Sequence, residues 1–189
     1  MKRILPYLAA AALLQVTAWA QTTWKADPAH SRIGFSITHL GISDITGAFN
    51  EFEVSIVSDQ ADFRDAVFAL NIDVASIDTA IERRDNHLRS PDFFDVAKHP
   101  QMTFRSTAIT PLGDDRYRLT GDLTIAGVTK ETTAELWYRG TTDNQGKATA
   151  GFKLKAKLKR SDFNIGPKFG PPMISDELVV KADGEFIAQ

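Results

Sequence analysis

The sequence contains no cysteine. That excludes disulfides, thiolate zinc sites, c-type haem attachment, a cysteine nucleophile and a lipidated N-terminal cysteine. It also lacks an excess of one charge: 22 Lys+Arg stand against 24 Asp+Glu, which gives no electrostatic footprint for nucleic acid. No G-x-S-x-G, G-x-x-x-x-G-K or H-E-x-x-H occurs, so the common signatures of serine hydrolases, P-loop nucleotide sites and zinc peptidases are missing. The histidines His30, His39, His87 and His99 show no close metal-ligand spacing. Metal and cofactor are both expected to be absent. Hydrophobic residues at 43% and charged residues at 24% are ordinary for a globular domain and argue against disorder.

Only one hydrophobic run stands out, and it is short. Lys2 and Arg3 precede an apolar stretch from Ile4 to Val16, broken by Pro6 and Gln15, and Ala18-Trp19-Ala20 follows. A bilayer core of about 30 Å needs roughly 20 apolar residues, more than this run supplies. The positive start, apolar centre and A-x-A end read as a secretory signal peptide over residues 1–20, cut after Ala20. The mature domain is then Gln21 to Gln189, mildly acidic, and the expected location is the periplasm.

Period-two alternation runs along most of that domain. Ile33, Phe35 and Ile37 share one face; Ile45, Gly47 and Phe49 follow, then Phe52, Val54 and Ile56 with flipped parity. A bulge or bend at Asn50-Glu51 accounts for the flip. Further alternating runs begin at Phe68, Met102, Tyr117, Thr132, Phe152 and Leu178. These read as antiparallel strands with one apolar face. Gly113-Asp114-Asp115, Gly127 and Gly140 to Gly146 mark the hairpins. Thr79 to Arg89 breaks the pattern and predicts a short helix, with Pro91 and Asp92 opening a further turn through Val96. An all-β architecture follows. About eight strands with one helical excursion can close as a sandwich or a barrel, and the barrel is favoured because it leaves no open edges.

Several motifs then resemble one family. They are Asp27-Pro28-Ala29-His30-Ser31, Phe35-x-x-x-His39-Leu40-Gly41-x-Ser43, Gly47-x-Phe49-x-x-Phe52 and Arg84-Asp85-x-His87-Leu88-Arg89-Ser90-x-Asp92-Phe93-Phe94. Pro100-x-x-x-Phe104-x-Ser106, Gly121-x-Leu123-Thr124-Ile125-x-Gly127-Val128-Thr129-Lys130, Ser161-Asp162-Phe163-Asn164-Ile165 and Ser175-Asp176-Glu177-Leu178 continue the series. In this order they resemble the YceI-like family of bacterial periplasmic proteins. The resemblance implies an extended eight-stranded antiparallel barrel of lipocalin-like shape. It also implies an apolar tunnel for a polyisoprenoid or another long-chain amphiphile.

The tunnel lining expected on this basis is Ile33, Phe35, Ile37, Phe49, Phe68, Leu70, Phe104, Leu123, Leu136, Phe152, Leu154 and Leu158. His39, His87 and Arg84 are the candidates for a head group at the mouth. Arg83, Arg84 and Arg89 could otherwise pair with Asp85, Asp92 and Asp95. The lysines at 153, 155, 157 and 159 read as a solvated outer face, with Glu131 and Glu135 as cross-strand partners. Gly166 to Pro172 cannot continue a strand and reads as a loop near one barrel end, either a lid or a plain connection.

The expected partner is an isoprenoid, quinone-like or fatty amphiphile, with transient membrane contact and a homodimer through outward Trp137 both compatible with the sequence. The leading functional reading is a lipid-binding or carrier protein without enzymatic activity. The alternative is an enzyme acting on such a lipid, using His39 or His87 with a nearby carboxylate such as Asp44 or Asp85. A third reading is a scaffold whose barrel is simply filled.

Overall fold

A computed structural model describes residues 21–189. The expected signal peptide lies outside the described residues. Eleven strands and one α-helix make up the architecture: β1 (Thr22–Ala26), β2 (Arg32–His39), β3 (Ser43–Phe49), β4 (Phe52–Ser58), β5 (Val67–Asp73), β6 (Ile77–Asp78), α1 (Glu82–Arg89), β7 (Gln101–Gly113), β8 (Arg116–Ile125), β9 (Val128–Asn144), β10 (Lys147–Lys159) and β11 (Ile174–Ala188). All pairings are antiparallel.

The ring closes through β1. Following hydrogen-bonded neighbours, the order is β1-β4-β5-β7-β8-β9-β10-β11 and back to β1. This is a closed eight-stranded barrel. The long β11 shares its length between two partners: Phe186–Ala188 pair with β1, and Ile174–Asp183 pair with β2. Strands β2, β3 and β6 therefore extend the wall beyond the ring at one end. Short, polar β1 (Thr-Thr-Trp-Lys-Ala) carries little alternation and is not legible as a strand, yet it completes the ring.

The bend expected at Asn50-Glu51 lies between β3 and β4. It hands the chain from the extension, where β3 pairs β2 and β6, into the ring, where β4 pairs β1 and β5. The helix begins at Glu82, three residues later than Thr79, because Ala80 has φ +63° and Ile81 is extended. Residues from Pro91 toward Val96 form hydrogen-bonded turns rather than a second helix.

The interior splits into two clusters. One is filled: Ile56, Phe63, Phe68, Tyr117, Leu119, Leu136, Phe152 and Phe186 are buried together. Phe63, from the β4–β5 loop, plugs this end with its ring 5.0 Å from Phe152, 5.1 Å from Tyr138 and 5.2 Å from Trp24. Such aromatic contacts add to the burial of large apolar surfaces. The Tyr117 hydroxyl donates to the Asp62 carbonyl at 2.5 Å and holds the plug loop to β8. The other cluster, around Ile33, Phe49, Ile72, Met102 and Ile125, lies beneath α1 and the β2–β3 extension. It surrounds a space.

Outside the barrel, the lysine face has different partners from those expected. Lys153 pairs with Asp183 at 3.1 Å and Lys157 with Glu177 at 3.0 Å, both on β11. Among the described residues, Glu135 lies opposite Lys155 in the β9–β10 register without a bridge, and no bridge reaches Glu131. Trp137 is half-buried, its ring covered by the Arg139 and Arg116 guanidiniums at 4.2 and 4.9 Å.

Candidate functional site

The space in the second cluster is a cavity of about 570 Å³, within the usual range for a small-molecule site. Its walls come from β2, β3 and β11 on one side and β5, β7 and β8 on the other. Helix α1, the turn at Phe93-Phe94 and the segment from Arg160 to Ile174 complete the enclosure. Strand alternation explains the wall: Phe35 and Ile37, Leu70 and Ile72, and Leu178 and Val180 are each two residues apart on one strand face.

Of the sequence-expected lining, Ile33, Phe35, Ile37, Phe49, Leu70 and Leu158 border this cavity. Six residues do not. Phe68, Leu136 and Phe152 are buried in the filled half, where Leu154 packs against them. Phe104 touches both clusters. Leu123 is buried within the second cluster without reaching the space. The correction has a simple cause: period two tells which face is inward but not how far along the barrel a side chain meets the plug.

Sequence reasoning also missed lining residues outside the strands. Phe93, Phe94, Phe163, Ile165, Phe169 and Met173 all border the cavity from turns and loops. Their aromatic and aliphatic character in Pro- and Gly-containing segments was the available signal. The stretch from Gly166 to Pro172 is part of the wall: Phe169 stacks on Phe93 with centroids 5.0 Å apart and planes at 10°.

The three head-group candidates, His39, His87 and Arg84, all border the cavity, with Thr79, Lys159 and Arg160. Arg84 donates through Nε to Thr79 Oγ1 and through a terminal nitrogen to the Thr79 carbonyl, both at 2.7 Å. Asp85 is buried and accepts from the Thr79 amide at 2.9 Å and its hydroxyl at 2.5 Å. Arg89 donates to the carbonyls of Ala75 and Ile77, tying the helix to β6. Arg84 and Arg89 thus bind Thr79, Asn86 and backbone carbonyls instead of Asp85, Asp92 or Asp95.

His87 packs edge-on against Phe93 and Phe169, at 5.0 and 5.4 Å. Its Nε2 lies 3.4 Å from Asp92, whose other oxygen accepts from Lys168 at 2.9 Å. The Lys168 hydrogen bond, helped by His87, holds the Asp92 carboxyl below its usual pKa. Asp44 accepts from the Thr38 hydroxyl at 2.8 Å. Asp44 and Asp85 are both engaged by threonine, and the carboxylate that stands beside His87 is Asp92.

Arg160 is buried with 8% of its surface exposed. Its guanidinium donates to the carbonyls of Ser175, Ile165, Gly166, Phe169 and Ile174. Burial lowers its pKa from the ordinary value, and the charge of Asp176 opposes that shift. Arginine stays protonated regardless. Among the described residues no carboxylate borders the cavity, while Arg84, Lys159 and Arg160 do. The polar end is electropositive and the remainder is apolar.

This geometry, a half-filled extended barrel with a helix-covered apolar chamber, can be compared with known proteins. The family model described as the YceI-like domain matches residues 24–186. The chain belongs to the YceI-like family. Protein YceI of Escherichia coli O17:K52:H18 is 39% identical over 156 residues, covering 82% of this chain and 81% of its own length. BcnA of Burkholderia cenocepacia superimposes with a TM-score of 0.75 at 29% identity, over 85% of this chain and 98% of that one. A domain from Saccharophagus degradans, described as a polyisoprenoid binding domain implicated in plant cell wall breakdown, has a TM-score of 0.66 at 16% identity. It covers 90% of this chain and 100% of that one, and shows the shared fold alone.

One further cluster lies away from the cavity lining. Asp27, His30 and Glu185 bring three potential ligand atoms within 4.8 Å of one another, a grouping invisible in the sequence because Glu185 is distant. His30 Nδ1 bonds Asp27 at 2.8 Å within the turn before β2, and the Asp27 amide, donating to the Glu185 carbonyl at 2.8 Å, ties that turn to β11.

Proposed function

We propose that the protein binds and carries a long-chain amphiphile, an isoprenoid, quinone-like or fatty molecule, in the helix-covered cavity. The observation that carries this reading is the cavity itself: about 570 Å³ bounded by aliphatic and aromatic side chains in a barrel whose other half is filled. Each buried methylene is worth about 0.8 kcal/mol, so a five-carbon prenyl unit contributes on the order of 4 kcal/mol before ordering and association costs. The polyisoprenoid-binding description of the structurally similar Saccharophagus degradans domain agrees with this chemistry. The cations Arg84 and Lys159, with the imidazole donors of His39 and His87 in the same lining, suit an anionic or electron-rich head group. The protein acts as a binder without turnover, and the chain is exported to the periplasm through residues 1–20.

The test is native mass spectrometry of protein isolated from its own cells, followed by lipid extraction and N-terminal mass determination. A stoichiometric prenyl or long-chain species on a chain beginning at Gln21 is expected. A bare protein that takes up neither isoprenoid quinones nor fatty amides overturns the carrier reading. Chemical conversion of the offered lipid overturns the non-enzymatic part of it.

A further inference from the structure

Five large apolar side chains are exposed among the described residues: Leu40, Ile42, Ile81, Leu112 and Met173. Four of them belong to segments that frame the cavity. Leu40 and Ile42 follow the cavity-lining His39 in the β2–β3 turn. Met173 borders the cavity and is still 48% exposed, and its carbonyl accepts from the Leu40 amide at 3.0 Å. Ile81 lies between the lining residues Thr79 and Arg84. Leu112 is elsewhere, on the β7–β8 hairpin close to Tyr117 of the filled half.

The β2–β3 turn is built against its own residue preferences. The Ile42 amide donates to the His39 carbonyl at 3.2 Å, with Leu40 at φ +54° and Gly41 at φ +72°. Asn-Gly or Gly-Gly fits such a turn because both central residues are left-handed. A leucine there holds a bulky side chain in a region that disfavours it, and then leaves it in solvent. Ile42, next to it, is 84% exposed. Neither side chain contributes to the buried clusters, so their apolar character serves a surface.

We propose that this tip docks on a lipid bilayer, with Leu40, Ile42 and Met173 entering the interfacial region and the cavity mouth facing the membrane. The inference rests on the cavity holding an amphiphile. Three observations select a bilayer as the partner. Leu40 and Ile42 stand on a two-residue turn, 51% and 84% exposed, outside both buried clusters. They are continuous with the cavity wall through Met173, so an apolar ligand crosses from acyl chains to wall without passing through water. Among the described residues, the exposed charged side chain in the cavity lining is Lys159, which complements phosphate-bearing head groups. Docking by a few apolar side chains is reversible, as marginal insertion is for other peripheral contacts.

The experiment is flotation with vesicles of phosphatidylcholine and phosphatidylglycerol, run beside transfer of a fluorescent prenyl or acyl probe from those vesicles. Wild type is expected to float, Leu40→Ser/Ile42→Ser to lose at least tenfold in both floated fraction and transfer rate, and Leu112→Ser to match wild type. All three should bind a micelle-free probe equally. Wild type that does not float, or a double variant that floats and transfers like wild type, overturns the docking surface. Flotation without probe uptake upholds the surface and sinks the carrier reading. Uptake without flotation does the reverse.

Discussion

The Phe35 ring lies across Gly47: a Cβ placed on Gly47 would fall 2.4 Å from Phe35 Cζ and 2.8 Å from Thr79 Cγ2. The two residues are direct cross-strand partners on β2 and β3, and Phe35 borders the cavity. Gly47 is needed here for space and has no positive φ. Gly47→Ala is expected to push the ring into the chamber, costing about 1–3 kcal/mol of stability as overpacking does and reducing bound lipid. Thermal unfolding and ligand stoichiometry check this. A variant as stable and as loaded as wild type would show that the ring moves without cost.

The hollow and filled halves respond oppositely to changes in side-chain volume. Ile37→Trp occupies the cavity and is expected to abolish probe binding with little change in unfolding temperature. Leu136, 2% exposed in the filled half, should behave as a core residue. Leu136→Ala is expected to cost about 2–5 kcal/mol while the folded fraction still binds. Probe titration with parallel denaturant unfolding separates the two effects. Equal loss of binding in both would mean that ligand reaches the plug.

Arg160 is the clamp that joins the 160–174 segment to β11. Arg160→Met leaves several carbonyls without a donor, and hydrogen bonds to a charged group are worth about 1.5–3 kcal/mol. The expected outcome is a loss of about 3 kcal/mol or more, with early proteolysis near Phe169. Lysine should rescue poorly, since one ammonium cannot reproduce the planar fork. Limited proteolysis and urea unfolding of both variants read this out.

The His30–Asp27 contact has a defined pH window. Donating a hydrogen bond to the Asp27 carboxylate raises the His30 pKa above its ordinary value, and accepting from His30, then from the Ala29 amide, lowers that of Asp27. The His30 contribution is complete below the ordinary imidazole range and is lost as pH rises through the raised value. The Asp27 contribution is complete above the ordinary carboxylate range and is lost as pH falls through the depressed value. The side-chain pair that closes the turn before β2 is therefore strongest between those limits. NMR titration should find the His30 pKa elevated in wild type and returned downward in Asp27→Asn. Identical titration in both would show that the pair is not formed in solution.

Much of the barrel was legible because strand alternation is a local record of which face is buried. Ile33-x-Phe35-x-Ile37 and Phe152-x-Leu154-x-Ala156-x-Leu158 announce their inward faces without knowledge of any partner. The polar segment Thr22–Ala26 carries no such record and closes the ring only through hydrogen bonds to β4 and β11. The candidate site was legible in part: His39, His87 and Arg84 were singled out, and all three border the cavity. The loop residues Phe93 and Phe169 were not, since no period marks a side chain in a turn.

Composition and sequence pattern alone determined an all-β chain with one apolar strand face, a short helix after Thr79 and no thiol chemistry. Tertiary structure alone decided where the lumen is hollow. Phe152 and Leu158 lie on the same face of β10, yet Phe152 meets the Phe63 plug at 5.0 Å and Leu158 borders the cavity. Whether an inward side chain faces an aromatic ring or open space depends on segments far away in sequence. Close packing in protein interiors makes that difference sharp.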